Sequence, residues 1–251
     1  MRSRPLGATL GRAASVRPAA FDPSVVQLRL ADDTVVPSNG DVTAWVEQIC
    51  AAGDVATIRT SALYPRAAQR FRQAGFAVAD TLALLRADLD DPAIGAALAE
   101  TSPPAVRVGS LRRGDLAAAA GVDRRAFGAR WCHDVDEIDQ IRDATPHARA
   151  RASFARAGAF GRELLAYAIS GAAAGHGYLQ RLAVDPPQQR RGHGRALTVD
   201  ALRWMAKRRL RDCLVNTSVA NTTALALYRS IGFHPLNEQL EVLELDVRAV
   251  R

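Results

Sequence analysis

The chain repeats part of itself, and this repeat constrains its fold more than any other sequence feature. At an offset of 157 residues, the first part of the chain matches the last part in residue type and in order. The matches are Thr60-Ser61 with Thr217-Ser218, Ala67 with Ala224, and Gly75-Phe76 with Gly232-Phe233. After a slip of one residue, the strand-like segment 81–89 also aligns with 239–247. Such matching order indicates a duplication in which both copies form the same supersecondary unit.

The second copy is predicted to be a mixed α/β domain. Hydrophobic periodicity predicts a short strand at 106–108, helices over 111–127 and 135–142, and then a β-β-β-α-β-α-β order. The elements of that order are predicted at 150–155, 163–170, 178–184, 194–210, 214–218, 222–230 and 239–247. Gly232 follows the last helix, at a position where a left-handed residue commonly ends a helix.

Composition divides the chain into three segments. Residues 1–20 are rich in Ala, Arg and Pro without periodicity, which predicts a disordered basic tail. Thr101-Ser102-Pro103-Pro104 predicts an extended linker, because proline disfavours helix at the residue before it. We therefore expect a complete mixed-sheet α/β domain over 105–251. A degenerate copy is expected over 21–100, with strand 26–30, helix 41–52 and strand 56–60.

Length and cysteine content limit the class of protein. The chain has 251 residues, of which 48% are hydrophobic, enough for two domains with buried cores. Cys50, Cys132 and Cys213 are odd in number and widely spaced, which argues against a disulfide framework and a CxxC metal site. No run approaches the roughly 18 apolar residues that span a bilayer, and the first twenty residues lack the apolar core of a secretory signal. We expect a cytoplasmic protein with no metal and no membrane partner.

The net charge of +7 is concentrated in one segment. Residues 181–211 hold nine basic and two acidic side chains, whereas residues 1–100 hold ten basic and eleven acidic ones. A surface that binds a nucleic-acid duplex would distribute its basic residues over several elements. One compact basic segment is more typical of a site for a phosphorylated ligand.

The loop QQRRGHGRA over 188–196 follows the strand-like segment YLQRLAV and opens a long predicted helix. Gly192 and Gly194 allow successive backbone N–H groups to approach one point, where the helix dipole adds positive potential. Arg190, Arg191 and Arg195 add full charges. The loop lacks the GK[ST] ending of a Walker motif and the third glycine of a dinucleotide-binding fingerprint. Taken alone, the GxG pair is also compatible with an ordinary strand-to-helix turn.

Two motifs in the expected order make residues 105–251 resemble the GNAT acetyltransferase family. The acetyl-CoA loop of the family, Q/R-x-x-G-x-G/A, is matched by residues 189–194. Its second signature, N-x-x-A-x-x-x-Y-x-x-x-G-F, is matched by Asn221, Ala224, Tyr228, Gly232 and Phe233. Within the family, LAVDP, RRGHGRAL and NTTALALY are similar to ribosomal-protein alanine N-acetyltransferases, and the tandem arrangement is similar to mycothiol synthases. The resemblance implies a GNAT fold preceded by a degenerate half-GNAT repeat.

The resemblance implies acetyl-CoA as co-substrate and a role for each matching residue. The backbone of Leu182, Ala183 and Val184 is expected to pair with the pantetheine arm like an added strand. Asn221 is expected to contact that arm, and Tyr228 to protonate the departing thiolate as general acid. The alternative is that Tyr228 is a half-buried aromatic residue of the helix with a packing role only. The pyrophosphate is expected to be held by the loop residues Gln189, Arg190, Arg191, Gly192, His193, Gly194 and Arg195.

The general base is the one role for which no residue matches. In the ribosomal-protein enzymes a glutamate lies five residues before the equivalent of Asn221, and here that position is Asn216, which cannot accept a proton. The remaining candidates are the carboxylate of Glu163 and a water molecule bound by Tyr178, Gln180, Asn216 or Ser218.

These observations predict an N-acetyltransferase that moves the acetyl group of acetyl-CoA to a primary amine of a small molecule or peptide. Direct attack is expected, because no cysteine lies in a motif. Carboxylates within 133–143 form either a solvated helix face or a rim that attracts a cationic amine. The alternatives are an acyl-CoA-binding sensor without turnover, suggested by Asn216, and a nucleic-acid-binding module, suggested by charge alone. We expect a monomer or a homodimer.

The amino-terminal copy is predicted not to bind acetyl-CoA. Its loop at the equivalent position, ADDTVVPSNGD over 31–41, has three aspartates, one glycine and no arginine, so its field repels a pyrophosphate. Phe71 and Tyr64 stand at the positions of Tyr228 and Asn221. The copy has no room upstream for the first three strands of a complete domain. We therefore expect its sheet to extend, or pair with, that of the complete domain.

Overall fold

A computed structural model describes residues 8–19, 22–32, 34–99, 106–157 and 161–249. The chain forms two compact units. The first takes in the chain up to Leu84, Thr217–Ala220 and the chain from Leu236, and the second comprises Leu85–Asn216 and Asn221–Pro235. Residues 1–7 and 20 of the predicted tail and the predicted linker 101–104 lie outside the described residues.

From residue 106 onward, the described elements follow the α/β order that the sequence predicts, whereas the two strands within 8–19 and the helix over 92–99 are not predicted. The strands are β1 (Ala8–Leu10), β2 (Ala14–Ala19), β3 (Asp22–Leu30), β4 (Thr57–Thr60), β5 (Ala77–Asp88), β6 (Val108–Ser110), β7 (His147–Ala157), β8 (Gly161–Ala173), β9 (His176–Val184), β10 (Asp212–Ser218) and β11 (His234–Asp246). The helices are α1 (Asn39–Ala52), α2 (Pro65–Gln73), α3 (Pro92–Ala99), α4 (Leu116–Trp131), α5 (Val135–Asp143), α6 (His193–Lys207) and α7 (Thr222–Ile231). Gly232 ends α7 with a φ of +115°, as predicted.

The first unit contains a mixed sheet with the strand order β1-β2-β3-β4-β11-β5. β3 and β4 are parallel and joined by α1, whereas the pairs β1–β2, β2–β3 and β4–β11 are antiparallel. Leu28, Ile58 and Phe71 are buried in its core. The apolar residues of α1 recur at helical spacing, so that one face, with Trp45 and Ile49, packs into the same core.

The prediction of a disordered tail is wrong for residues 8–19, which form β1 and β2. β2 pairs antiparallel with β3, and Leu10, Ala14 and Val16 are buried in the core of the first unit. The alternation of Ala14 and Val16 is the period-two pattern of a half-buried strand, but it is too short to be recognised within a basic, alanine-rich segment. The first copy therefore has two strands upstream of β3, where none was expected, whereas the second copy has three strands, β6 to β8, upstream of β9.

The strand beside β4 is β11, although β5 is the strand that follows β4 and α2 along the chain. Ile58 of β4 faces Leu245 of β11, and the neighbouring cross-strand pair is the ion pair of Arg59 with Glu244 at 2.6 Å. The last strand of the second sequence copy thus belongs to the first unit, and β5 from Leu85 onward belongs to the second. The compact units are therefore not continuous stretches of chain.

The second unit contains the strand order β10-β9-β8-β7-β6, with the end of β5 beside β10. The pairs from β6 to β9 are antiparallel, whereas β9 and β10 are parallel and joined by α6. Helices α4 and α5 pack on the sheet through a core that includes Val122, Ile138, Tyr167 and Ile169. This arrangement places the end of β9, the start of α6 and the end of α4 near one another.

Replacing Val16 with alanine tests the ordered tail. Because Val16 is buried, Val16→Ala should lower the free energy of unfolding by about 2 kcal/mol. Ser15→Ala, at the neighbouring exposed position, is the matched control and should change it by less than about 0.5 kcal/mol. Urea denaturation of the two variants gives the comparison, and equal stabilities would contradict an ordered β2.

Candidate active site

The site begins where β9 and β10 separate. Backbone pairing between these parallel strands covers two residue pairs, Gly177 with Cys213 and Tyr178 with Leu214. No further pair forms between them in the described chain, although both strands continue for several residues. From Gln180 onward, backbone pairing with β10 no longer covers the facing edge of β9.

A β-bulge lies at the point of separation. The register of β8 and β9 shifts between Ile169 and Ser170, so that Gln180 of β9 is an extra residue. A bulge bends its strand and increases its twist, which carries β9 away from β10. After the bulge, Leu182–Val184 pair with β8 on one side. The segment expected to pair with pantetheine therefore has an open edge on its other side.

The loop after β9 uses left-handed backbone at two positions. Arg190 has a φ of +62° and Gly192, the N-cap of α6, has a φ of +88°. Gly194 is closely packed, because a Cβ there would lie 3.1 Å from Leu227 Cδ2 and 3.7 Å from Val184 Cγ2. The turn thus brings the first N–H groups of α6 to the end of β9, and these groups have no acceptor within the helix.

Three arginines surround this loop. Arg190 and Arg191 are exposed, and Arg191 donates to Gln188 Oε1 at 3.3 Å. Arg195 donates to Ser230, to its carbonyl at 3.3 Å and to its Oγ at 3.2 Å. Together with the positive end of the helix dipole, these charges favour an anionic ligand at the loop.

The loop motif has two further side chains, those of Gln189 and His193. Gln189 donates through Nε2 to the Val184 carbonyl at 3.4 Å, which ties the loop to the end of β9. His193 is buried, and this burial, with a smaller contribution from the charge of Arg191, lowers its pKa. His193 is therefore neutral near pH 7. Its Nδ1 has no hydrogen-bond partner among the described residues.

Tyr228 lies on α7 and is buried, with its ring centroid 5.5 Å from that of Phe233. Burial raises the pKa of Tyr228, and Cys213 raises it further, whereas the charge of Arg181 lowers it. The phenol therefore carries its proton at neutral pH, as a general acid must.

Asn221 is the N-cap of α7. Its Oδ1 accepts a hydrogen bond from the backbone N–H of Ala224 at 3.1 Å, so that Asn221 caps the helix that carries Tyr228. The side-chain NH₂ takes no part in this bond. It is the group with which Asn221 would contact a cofactor arm.

The candidates for binding a catalytic water differ in their surroundings. Asn216 is exposed on β10. Gln180 Oε1 is buried without a partner in the described part of the chain. Ser218 belongs to the first unit, where its Oγ donates to Asp80 Oδ1 at 2.8 Å. Glu163 is exposed near the start of β8.

The carboxylates of segment 133–143 have local partners. Asp134 caps α5 by accepting from the Glu137 N–H at 2.8 Å, and the two residues form a reciprocal capping box. Asp139 pairs with Arg142 at 3.0 Å and with Arg113 at 3.8 Å. Capping and ion pairing account for these three carboxylates, which favours a structural role over an acidic rim.

Sequence reasoning missed a buried charged cluster beside β9. Asp123 of α4 is fully buried and forms a two-point ion pair with Arg181 of β9 at 2.7 and 2.9 Å. Tyr167 of β8, also buried, donates its hydroxyl to the same carboxylate. The sequence signal for this cluster was Arg181, which is a charged residue in the otherwise apolar end of YLQRLAV. A charge that faces inward needs a partner.

The buried thiols are poor nucleophiles. Burial raises the pKa of Cys132 and, more strongly, that of Cys213. Both therefore remain protonated near neutral pH, which agrees with direct attack by the acceptor. Within the described ranges, no three His, Cys, Asp or Glu residues are grouped so that they could hold a metal ion. None of the described helices is long and apolar enough to span a membrane.

Comparison with known proteins agrees with this geometry. Residues 122–233 match the family model described as Acetyltransferase (GNAT) family. This part of the chain is a GNAT acetyltransferase domain. The [ribosomal protein bS18]-alanine N-acetyltransferase of Escherichia coli (strain K12) is 28% identical over 127 residues, which are 51% of this chain and 80% of that protein. The family resemblance drawn from the two motifs is confirmed.

A second relative and one solved structure are also similar to this chain. The mycothiol acetyltransferase of Acidothermus cellulolyticus is 39% identical over 69 residues, 26% of this chain. The match spans only 21% of that relative's length. A tandem GNAT protein from the clavulanic acid biosynthesis pathway superposes with a TM-score of 0.62 at 13% identity, covering 93% of this chain and 79% of that one. The expected GNAT fold is thereby confirmed.

Replacing Gly192 with valine tests the loop. A β-branched residue disfavours a φ of +88°, so Gly192→Val should distort the turn and abolish CoA binding in isothermal titration calorimetry. Gly175→Val is the matched control, because Gly175 has a φ of +84° in the turn between β8 and β9. It should carry similar backbone strain and keep its CoA affinity. Unchanged CoA affinity in Gly192→Val would overturn the assignment of the loop.

Proposed function

We propose that the protein transfers the acetyl group of acetyl-CoA to a primary amine. The supporting observation is the open edge of β9 at Leu182–Val184, which leads directly into a positively charged turn at the start of α6. An open strand edge followed by an anion-binding helix start suits a ligand with an amide-containing arm and a pyrophosphate. Tyr228 supplies the protonated phenol of the same unit.

The proposed reaction is a direct transfer. The neutral amine attacks the thioester carbonyl carbon, the C–N bond forms and the C–S bond breaks. Tyr228 Oη gives its proton to the departing sulfur, and the attacking nitrogen loses a proton to water. Backbone N–H groups after the bulge and at the start of α6 hold acetyl-CoA, and no metal takes part.

The acceptor is proposed to be a small molecule or a peptide with a primary amine, acted on in the cytoplasm by a monomer or a homodimer. Asn216 takes the place of the glutamate expected of a ribosomal-protein enzyme, so we propose that the amine loses its proton to water, with the exposed carboxylate of Glu163 as the alternative base. The same residue supports the second candidate function, an acyl-CoA-binding sensor without turnover. Acetyl-CoA consumption in the presence of a panel of amines separates the two, because a sensor binds CoA without consuming the thioester.

Replacing Tyr228 with phenylalanine tests the general acid. Tyr228→Phe keeps the packing against Phe233 but removes the proton donor, so kcat should fall by about 10²-fold while CoA affinity changes little. Tyr64→Phe removes a hydroxyl from the first unit and should keep the wild-type kcat. Steady-state rates with saturating acetyl-CoA give the comparison. A wild-type rate in Tyr228→Phe would assign the protonation of the thiolate to another group.

We also propose that the amino-terminal copy binds no CoA. In the first unit, the parallel strands β3 and β4 stay paired at four positions, from Val25–Thr57 to Leu28–Thr60. Both edges that would line a cleft there are therefore occupied. The start of α1 is occupied as well, because the Asp41 carboxylate accepts from the Ser38 N–H at 2.9 Å. This carboxylate occupies the helix start where a pyrophosphate would have to bind.

Calorimetry on the full chain tests this second proposal. One equivalent of CoA should bind per chain, and none should bind to Gly192→Val, because only the second unit has the open edge and the positive turn. Asp41→Asn removes the negative charge at the start of α1 and should still leave one equivalent, since the paired strands β3 and β4 remain. A second equivalent that persists in Gly192→Val would place a CoA site in the first copy.

A further inference from the structure

Asp185 directly follows the open-edged segment Leu182–Val184, and its side chain is not used as its backbone position suggests. The residue is the N-cap of a short helical turn, Pro186–Gln188. An aspartate at an N-cap ordinarily accepts a hydrogen bond from a backbone N–H of its own helix. Within this turn the Asp185 carboxylate accepts no such bond. Because the residue is buried, its carboxylate needs a different partner.

The partner of Asp185 is Arg125 of α4. Arg125 Nε donates to both carboxylate oxygens, at 3.0 and 3.1 Å, and Arg125 Nη2 donates to Oδ2 at 2.7 Å. A guanidinium that meets a carboxylate through two nitrogens fixes its orientation as well as its distance. The side chain of Arg125 is 54% exposed, whereas that of Asp185 is 10% exposed. The pair therefore joins an exposed position of α4 to the buried residue that follows β9.

A second ion pair joins α4 to the other end of the same segment. Asp123 of α4 pairs with Arg181 of β9 at 2.7 Å, so here the acid lies on the helix, and in the Arg125 pair it follows the strand. The two attachment points on β9 are four residues apart, about 13 Å along an extended strand. Between them lies Leu182–Val184, which pairs with β8 and, in the described chain, not with β10. The open-edged segment is thus attached to α4 at both ends.

Attachment at both ends has a physical consequence for binding. A strand with one open edge lacks, on that side, the hydrogen bonds that hold a central strand in place. A ligand arm that pairs with a mobile edge must order it, and the free energy of that ordering is lost from the affinity. A segment that its own protein already holds in position avoids this loss. The two ion pairs hold the segment from α4 and leave its open edge uncovered.

We propose that Arg125 and Asp185 are positioning residues that hold Leu182–Val184 in place for the pantetheine arm of acetyl-CoA. This inference rests on the proposed function. The two side chains act through the backbone between Arg181 and Asp185, the other end of which is fixed by Asp123. They therefore contribute to the affinity for the arm, and the pyrophosphate is left to the turn at the start of α6.

Calorimetry with two ligands tests the proposal, because ADP has the pyrophosphate of CoA but lacks its pantetheine arm. Arg125→Met should raise the Kd for CoA by about 10-fold, since the segment is then held at one end only. The Kd for ADP should stay within about two-fold of wild type. Asp185→Asn should have the same two effects. The double variant should raise the Kd for CoA no further, because each single substitution already breaks the pair.

Arg162→Met is the matched control. Arg162 of β8 pairs with Asp115, the N-cap of α4, at 2.8 Å, and its side chain is 42% exposed. This pair also ties α4 to the sheet, but it does not involve β9, so the Kd for CoA should stay within about two-fold of wild type. Arg125→Lys keeps the charge without the two-nitrogen contact and should recover part of the affinity for CoA. Thermal melts of all variants record folding.

The outcomes distinguish this inference from the proposed function. An unchanged Kd for CoA in folded Arg125→Met would overturn the role of the pair and leave the acetyltransferase in place. Equal losses for CoA and ADP would also overturn it, since they would assign the pair to the phosphate turn, as would an equal loss in Arg162→Met. Binding of CoA without consumption of the thioester with any amine would refute the proposed transfer alone. A wild-type chain that binds no CoA would refute both.

Discussion

The separation of β9 from β10 after two residue pairs is the constraint on which the rest of the second unit depends. Backbone groups at an open strand edge need water or another chain to pair with, so such an edge inside a sheet can accept a ligand in the manner of an added strand. The bulge at Gln180 creates the separation, and the turn at Gly192 places the start of α6 at its end. The proposed acetyl-CoA site is therefore formed mainly by backbone groups, to which side chains add charge.

The two copies share a β-α-β order of elements, but they differ in how far their parallel strands stay paired and in how the helix that follows begins. The first copy continues its parallel pairing through Leu28 and Thr60, and the carboxylate of Asp41 caps the helix that follows. The second copy stops its pairing early and opens its helix with glycine and arginine. One copy thus covers its own backbone groups, whereas the other leaves them for a ligand. On the proposed function, the amino-terminal copy adds paired strands without adding a second acetyl-CoA site.

Charge is distributed differently on the surface and in the interior of the second unit. Arg190 and Arg191 are exposed, where they can meet an anionic ligand in solvent. Arg181 is held by buried Asp123, so its field is directed and weakly screened. The exposed arginines suit recognition of a phosphate, whereas Arg181 forms an ion pair within the fold. The same residue type serves both purposes because only its partners differ.

The sequence alone determined the order of helices and strands from β6 onward, the turn at Gly192, the place of Tyr228 on α7, and the family. These depend on local periodicity and on motifs whose residues lie close together in the chain. Only the tertiary structure decided that β2 is ordered, that β11 lies beside β4, and that Arg181 meets Asp123 across 58 residues. Each of these depends on a partner distant in sequence, and one residue pattern is compatible with many such partners. Strand pairing and charge burial depend on the whole fold, because each stabilises the protein only when its distant partner is in place.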